Sequence, residues 1–309
     1  MNYPLPSVTY PAIKQFLLSH LKVAVDLYIP NPWVLIQLKN YIPLYRAKDF
    51  RRVLYVTAIA FRLSKVKKIP ALEIASALAQ LIEDIATRCC QVESRLGAAD
   101  ERDFTVQVVP PGWIHFELTN PKLASWLQHL TQMPPELVIC RGEEQGKQEE
   151  KFPASSGSPL FAVQYAHARC CSLLQMAHRE GLITLRQTNW DTSSAFWLAV
   201  SPNPIPWLNS GQQLCLDHPA ERALIVQLLA LLDELYCPRP SHQPINWHKA
   251  ALDLSQTFQT FYSGCQIWGE VKNQNLSLSQ ARLGLVLITQ SVLRLLLKDR
   301  LGVVALQEL

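Results

Sequence analysis

"LFAVQYAHARCCSLLQMAHREG", residues 160–181, is the stretch that decides the fold of the C-terminal half. Apolar side chains recur in it at helical spacing, and Gly181 stands where a helix commonly ends. The stretch therefore predicts a helix. Four polar side chains near its start are unusual for a helix of this apolar content: Gln164, Tyr165, His167 and Arg169.

Catalysis is the first role to consider for this polar group. His167 and Cys171 are four residues apart, so they face each other on a helix. No third group that would orient the imidazole is visible, and Leu174 and His178 continue the same stripe. We therefore expect His167 and Cys171 to be core residues and not a nucleophile pair.

Other catalytic and metal-binding motifs are missing from the sequence. It contains no GxSxG, no HExxH and no CxxC, and "GEEQGK" (142–147) lacks the glycine spacing and the Ser or Thr of a phosphate loop. The eight cysteines form no zinc-like grouping. We expect no catalytic residue, no metal and no cofactor.

Composition and charge place the chain among globular proteins. It has 309 residues, 49% of them apolar and 17% charged, which suits two domains and excludes a disordered chain. Residues 1–130 carry 15 Lys and Arg against 10 Asp and Glu, whereas residues 159–309 carry 11 against 10. The start is not a signal peptide, and polar residues interrupt the longest apolar runs. These features predict a cytoplasmic protein without a membrane span.

The pattern of elements changes along the chain. In residues 1–130 we predict helices after Pro11, over 53–65, after Pro70 and from Asn120 to about Leu130, and strands over 33–38, 104–109 and 113–118. Residues 131–158 are charged and then rich in Pro, Gly and Ser, which is typical of a flexible linker. Residues 159–309 are mainly helical, with an insert at 183–214. The predicted fold is mainly α, a small α+β domain followed by an all-α bundle.

A family resemblance appears in the C-terminal half. "FAVQYAHARCCSLL" (161–174) resembles the first helix of the anticodon-binding domain of arginyl-tRNA synthetases, in which the stretch YVQYAHAR follows the catalytic domain. Three later stretches are similar to further helices of that domain, in the same order: "HPAERALIVQLL" (218–229), "ALDLSQTFQTFYSGCQI" (251–267) and "ARLGLVLITQSVLRLLLKDRLGV" (281–303). The resemblance implies a DALR-type anticodon-binding bundle over 159–309.

The N-terminal half resembles the same family. "LYVTAIAFRLSK" (54–65) and "VPPGWIHFEL" (109–118) are similar to segments of the synthetase N-terminal domain, which in the family docks on the tRNA elbow. A synthetase carries a Rossmann-type catalytic domain between the two halves, where this sequence has only residues 131–158. The HIGH-like and KMSK-like motifs are absent as well. We therefore expect a relative without the catalytic domain that is not an enzyme.

The sequence also departs from the family at positions that matter for RNA. The Asn that the family uses on tRNA is Ala58 here, and the Arg expected after Cys265 is Gln266. The Gly-Asp pair before Tyr55 is absent, and the C-terminal tail differs.

Candidate RNA-binding residues come from the resemblance and from the basic section 39–68. Stacking on bases and contact with phosphate are the roles expected of these side chains. They are Tyr165, Arg169, Tyr262, Gln266, Tyr55, Arg46, Lys48, Arg51, Arg52, Lys65, Lys67 and Lys68. The structural alternative is helix packing for Tyr165 and Arg169, a core position for the stripe that contains Tyr262, and a solvated face for the basic section. Trp190, Trp197 and Trp207 of the insert either cover the core or anchor a protein partner.

Three functions are compatible with these features. The first is a non-catalytic tRNA-binding protein that presents or sequesters arginine-accepting tRNA, with a tRNA-modifying enzyme as a further partner. The second is a protein-interaction or assembly factor that keeps the fold and has lost RNA binding. The third, more remote, is a subunit of a split synthetase.

Overall fold

The computed structural model describes residues 10–29, 42–49, 52–94, 102–132, 159–187, 197–237 and 245–308. The chain divides into two compact units. Unit 1 contains residues 1–123 and 233–240, and unit 2 contains residues 124–232 and 241–309. The division falls inside the helix Asn120–Gln132, so residues up to Leu123 belong to unit 1 and the rest of this helix belongs to unit 2. The sequence-based boundary at 131–158 stays a prediction, because most of that segment lies outside the described residues.

Unit 1 combines helices with an antiparallel sheet. Its described elements are α1 (Ile13–Tyr28), β1 (Leu44–Arg46), β2 (Leu54–Thr57), α2 (Ile59–Lys67), α3 (Ala71–Ser94), β3 (Phe104–Val109), β4 (Trp113–Leu118) and the start of α4 (Asn120–Gln132). The sheet order is β1-β2-β4-β3, with every neighbouring pair antiparallel. The α+β prediction for this half is confirmed, and the predicted strand at 33–38 lies outside the described residues.

The two faces of the sheet differ because side chains alternate along each strand. Tyr55, Ile114 and Phe116 are fully buried on one face. On the other face, Tyr45, Val56 and His115 stand side by side across three strands and are exposed or half-buried. The sheet is therefore covered on one face and accessible on the other.

The predicted helix over 53–65 is wrong in its first part. Leu54–Thr57 form strand β2, and the helix begins only at Ile59. The β-branched and aromatic side chains of this stretch suit a strand, and β2 pairs with both β1 and β4. Pairing on both sides overrides the helical spacing that continues into α2.

Unit 2 is mainly helical, as predicted. Its described elements are the rest of α4, α5 (Pro159–Arg179), β5 (Thr184–Gln187), β6 (Trp197–Ser201), α6 (Pro219–Tyr236), α7 (Trp247–Gly264), α8 (Glu270–Gln274), α9 (Leu276–Leu295) and a π-helical turn (Leu296–Arg300). The end of α6, from Asp233 onwards, belongs to unit 1. Strands β5 and β6 form an antiparallel hairpin within the insert, which adds a small sheet to the expected bundle.

Helix α9 is the centre of unit 2. Every residue from 281 to 297 is buried. By length and composition Leu276–Arg300 could cross a membrane, but 94% of its most apolar window is buried inside the protein. Its apolar content therefore reflects its position as the core helix of the bundle.

A buried ion pair links α9 to α6. Nε of Arg282 lies 2.6 Å from Oε1 of Glu221, and the two side chains are 10% and 1% exposed. Oε2 of Glu221 accepts from the backbone N–H of His218 at 2.8 Å, which caps the start of α6. A second guanidinium nitrogen of Arg282 donates to the carbonyl oxygen of Gln266. Both charges are thus paired and hydrogen-bonded, as burial requires.

The insert packs into the core through Trp207. The indole lies against Gly284 of α9 so closely that a Cβ at that position would collide with the ring. Its Nε1 donates to Oε1 of Gln128 on α4 at 2.9 Å, and the N–H of Ile205 donates to the same oxygen at 2.9 Å. The glycine therefore gives the indole the space it occupies.

Burial favours one of the two roles considered for the tryptophans. Trp197 and Trp207 are 8% and 3% exposed, which agrees with core cover. Trp190 lies outside the described residues.

Replacement of Gly284 by Ala is expected to lower the free energy of unfolding by about 1–3 kcal/mol, because the added methyl group must displace Trp207. Urea denaturation followed by tryptophan fluorescence measures this change. Gly264→Ala, in α7, is the matched control, since its Cβ would meet only ordinary contacts and Ala favours a helix. Equal stability of the Gly284→Ala protein and the wild type would contradict the packing described.

Candidate nucleic-acid interface

The polar group at the start of α5 is divided between two faces of the helix. Gln164 and His167 are buried, with 0% and 1% exposure. Tyr165 is 48% exposed, and Arg169, four residues later, is half-buried on the same side. One helix thus carries an inner and an outer polar pair.

The inner pair binds the C-terminal segment. Nε2 of Gln164 donates to the carbonyl oxygen of Val304 at 3.2 Å. Nδ1 of His167 lies 2.8 Å from the carbonyl oxygen of Leu306, and its Nε2 lies 3.0 Å from Nε2 of Gln290 on α9. These partners fit a neutral imidazole that donates from Nδ1 and accepts at Nε2. Burial lowers the pKa of His167 to about 4, so the ring is neutral at physiological pH.

The expectation that His167 and Cys171 belong to the core is confirmed by their burial. Sγ of Cys171 lies 3.9 Å from both ring nitrogens of His167. Burial raises the pKa of the Cys171 thiol to about 12, so the reactive thiolate is not formed. The pair is a structural contact.

The outer pair meets helix α7. Nη2 of Arg169 donates to the hydroxyl of Tyr262, and its guanidinium lies 4.8 Å from the centre of the Tyr262 ring. The Tyr165 ring is stacked on Phe161 with the ring centres 6.5 Å apart. Tyr262 is in turn stacked on the buried Phe258 at 6.3 Å. The structure therefore fixes Arg169 and Tyr262 against each other and leaves Tyr165 accessible beside them.

The exposed side chains near Tyr262 along the chain are polar and uncharged, and the Arg169 guanidinium lies against its ring. The exposed side chains of α7 and of the segment that follows it, from 256 onwards, are Gln256, Gln259, Thr260, Ser263 and Gln266. The backbone of Gln266 is held by Arg282, while its side chain is exposed. We call Tyr165, Arg169, Tyr262 and Gln266 the α5–α7 face. It offers aromatic rings, amides and one guanidinium, groups that suit contact with unpaired bases more than with phosphates.

The basic residues predicted as RNA contacts in unit 1 differ in exposure and in pairing. Arg52 is paired with Asp49 and Glu117 at 3.3 and 3.4 Å. Nζ of Lys67 donates to the carbonyl oxygen of Tyr28 at 3.1 Å and lies 4.1 Å from the centre of that ring. Arg52, Lys48, Lys65 and Lys68 are exposed, whereas Arg46 is half-buried and Arg51 lies outside the described residues.

Tyr55 must be removed from the set of RNA-binding candidates. Its side chain is 0% exposed, and its hydroxyl donates to Oδ2 of Asp233 at 2.6 Å within unit 1. Oδ1 of Asp233 accepts from the N–H of Lys14 at 3.0 Å. Burial raises the pKa of Tyr55 and raises that of Asp233 to about 6. In this conformation no base can reach the Tyr55 ring.

The accessible face of the sheet contains residues that the sequence did not suggest. Tyr45, 45% exposed, stands beside Val56, and His115 stands between Val56 and Gln107. Trp113, half-buried, lies on the same face with its ring 5.1 Å from that of Phe61. The alternation in "WIHFEL" indicated this face, but recognition of β2 as a strand was needed to align it with Tyr45.

Comparison with known proteins identifies the fold of the C-terminal half. Residues 163–309 match the family model of the DALR anticodon binding domain, so this half is a DALR anticodon-binding domain. The match is to an anticodon-binding domain and not to a catalytic one. No solved structure matches.

Curated relatives agree with this match. The chain is 35% identical over 148 residues to an arginine–tRNA ligase of Synechococcus sp. (strain JA-3-3Ab), which covers 48% of this chain and 22% of the ligase. An arginine–tRNA ligase of Gloeobacter violaceus is 34% identical over 47% of this chain and 21% of its own length. The aligned part is about a fifth of these ligases.

His167 predicts a pH dependence of stability. Its pKa is lowered in the folded protein, so its contribution is present above the ordinary value near 6.5 and is lost as the pH falls towards 4. A fall in pH from 7.5 to 5 should therefore lower the contribution of His167 to the free energy of unfolding by about 2 kcal/mol. Urea titrations at the two pH values measure this contribution. His167→Gln is expected to remove it, whereas replacement of the exposed His248 by Gln is expected to leave it unchanged. The raised pKa of Asp233 makes the protein more stable as the pH falls, but this effect is the same in the wild type and in both variants. An unchanged pH dependence of stability in His167→Gln would contradict the description of His167 as a buried, neutral side chain.

Tyr55→Phe is expected to destabilise the protein by about 1–3 kcal/mol, because the buried Asp233 carboxylate loses a donor. Thermal or urea unfolding measures the loss. The exposed Tyr45→Phe is the matched control and should change stability by less than about 0.5 kcal/mol. Unchanged stability of Tyr55→Phe together with weaker RNA binding would restore Tyr55 as an RNA contact.

Proposed function

We propose that this chain is a non-catalytic tRNA-binding protein whose DALR domain holds the anticodon loop of an arginine-accepting tRNA. The observation that carries the proposal is the α5–α7 face, where an exposed Tyr165 adjoins an Arg169 already fixed on Tyr262. This face lies within the residues that match the anticodon-binding family.

The chemistry of the face suits unpaired bases. A base stacked on Tyr165 contributes about 1–3 kcal/mol, and stacking tolerates any base because each has an aromatic face. Arg169 is held by Tyr262 before RNA arrives, so little side-chain entropy is lost when it stacks on or bonds to a base. The Gln266 amide provides both a donor and an acceptor for base edges.

Unit 1 supplies a second RNA-binding surface in this proposal. The accessible sheet face presents Tyr45 and His115 in one row, and both can stack on bases. Lys48, exposed in the segment that leaves β1, supplies a cation for phosphate. Arg52 contributes less, because Asp49 and Glu117 already neutralise it.

The non-catalytic part of the proposal rests on what separates the two halves. Residues 131–158 stand where the family has its catalytic domain, and the sequence carries no HIGH-like or KMSK-like motif. Such a protein would present tRNA to a modifying enzyme or sequester it from the synthetase, and it would act in the cytoplasm.

A second candidate is a protein-interaction factor that has lost RNA binding. Ala58 and Gln266 at positions of the family's polar RNA contacts favour it, as does the low charge around Tyr262. The remote alternative, a split synthetase subunit, predicts arginylation activity once a separate catalytic chain is added.

The tRNA-binding proposal is tested by titrating labelled total tRNA with the intact chain in a mobility-shift assay at low and moderate salt. We expect micromolar or tighter binding that weakens as salt rises. Tyr165→Ala should weaken binding about 5- to 100-fold, the loss of one stacked base.

Leu276→Ala is the matched control, because Leu276 and Tyr165 are equally exposed at 48% in the same unit. It should leave the affinity unchanged. Absence of binding at low salt would remove the proposal, and equal affinity of wild type and Tyr165→Ala would remove the α5–α7 face as its site.

A further inference from the structure

Three helix ends of unit 1 meet at one corner: the end of α1, the end of α2 and the start of α3. Nζ of Lys67 reaches from α2 to the last carbonyl of α1, at Tyr28, and covers its ring. Helix α3 begins four residues after Lys67. We call the exposed side chains here, Leu27, Lys65, Val66, Lys68 and Leu72, the α2 corner.

Internal bonds hold the backbone of the α2 corner. Lys68 adopts a left-handed conformation with φ of 56°, and its N–H donates to the carbonyl oxygen of Ser64 at 2.8 Å. The hydroxyl of Ser64 donates to the carbonyl oxygen of Ile69 at 2.6 Å. The connection between α2 and α3 is therefore fixed, and a partner would meet a preformed surface.

The α2 corner contains apolar side chains that are partly exposed to solvent. Leu27, Val66 and Leu72 are 40%, 54% and 42% exposed. They are three of the seven large apolar side chains exposed among the described residues, and all three lie within five residues of the Lys67–Tyr28 contact. Clustered exposed apolar side chains commonly mark an interaction site.

The charge of the α2 corner is positive. Lys65 and Lys68 are exposed on either side of Val66, and Arg62 is exposed one turn earlier on α2. The nearby acids are Glu73, exposed at the start of α3, and Asp26, half-buried on α1. More basic than acidic side chains therefore lie near the exposed apolar ones. A partner with acidic side chains would match this charge.

Aliphatic side chains between the cations argue against RNA at this corner. Bases of single-stranded RNA stack mostly on aromatic rings and guanidinium planes, and phosphates are bound by cations, so leucine and valine contribute little to such an interface. A protein interface, in contrast, combines apolar anchors with a polar rim. We propose that the α2 corner docks an acidic amphipathic segment of a partner protein, its aliphatic side chains on Val66, Leu27 and Leu72 and its carboxylates on Lys65 and Lys68. This proposal is independent of tRNA binding at the α5–α7 face.

The test is fluorescence anisotropy of the intact chain with three labelled synthetic peptides. The first carries glutamate and leucine at helical spacing, the second has every leucine replaced by serine, and the third has every glutamate replaced by lysine. We expect the first to bind at least about tenfold more tightly than either of the others, because both charge and apolar contact are needed.

Two variants separate the two contributions. Val66→Ser removes an apolar contact without changing charge and should weaken the first peptide about fivefold. Lys65→Glu with Lys68→Glu should abolish its binding. Leu276→Ser, an equally simple change at an exposed leucine of unit 2, should have no effect. Circular dichroism of each variant shows whether its fold is retained.

Total tRNA and phosphatidylserine vesicles serve as competing probes on the same variants. If tRNA binding falls in the double Lys variant but not in Val66→Ser, and the peptides do not discriminate, the corner is an RNA contact and the docking proposal is overturned. The docking proposal is also overturned if the chain binds vesicles, Val66→Ser weakens that binding, and none of the peptides binds. Peptide binding by a chain that does not bind tRNA would support docking and refute only the proposed function.

Discussion

The buried pair of Arg282 and Glu221 is the interaction on which the C-terminal domain depends. Removing two charges from water costs several kcal/mol for each ion, and the loss is offset only when geometry and hydrogen bonding are nearly complete. Here the carboxylate accepts both from Arg282 and from the start of α6, while the guanidinium also binds the carbonyl of Gln266. The pair therefore connects three segments, which are α9, the start of α6 and the chain that follows α7. That arrangement fixes the backbone of Gln266 next to the aromatic surface proposed to receive RNA.

Helix α5 connects folding with function through its two faces. Gln164 and His167 on the inner face bind the C-terminal segment and α9 and are excluded from water. Tyr165 and Arg169 are four residues apart, so they share a different side of the same helix, where they are exposed and half-buried. The buried contacts of Gln164 and His167 thus fix the orientation of the helix, and this orientation places Tyr165 and Arg169 at the candidate binding surface. This explains why a polar stretch without catalytic partners occurs in a largely apolar helix.

The sequence was informative where local pattern and family resemblance agreed. Spacing predicted α5, α6, α7 and α9, and the core position of His167 followed from its stripe. Local pattern failed at Leu54–Thr57, where pairing with two neighbouring strands outweighs the helical spacing. Tyr55 was an RNA-binding candidate because of the family resemblance, and only the register of β2 shows that its side chain lies in the core. The contact between Arg169 and Tyr262 joins helices 93 residues apart and could not be read from local sequence.

Nuclease footprinting of an arginine-accepting tRNA bound to the intact chain tests the central claim most directly. We expect protection of the anticodon loop, because the α5–α7 face is proposed to bind unpaired bases there, and loss of that protection when Arg169 is replaced by Gln. Protection confined to other parts of the tRNA, or an anticodon loop as accessible as in free tRNA at saturating protein, would contradict it.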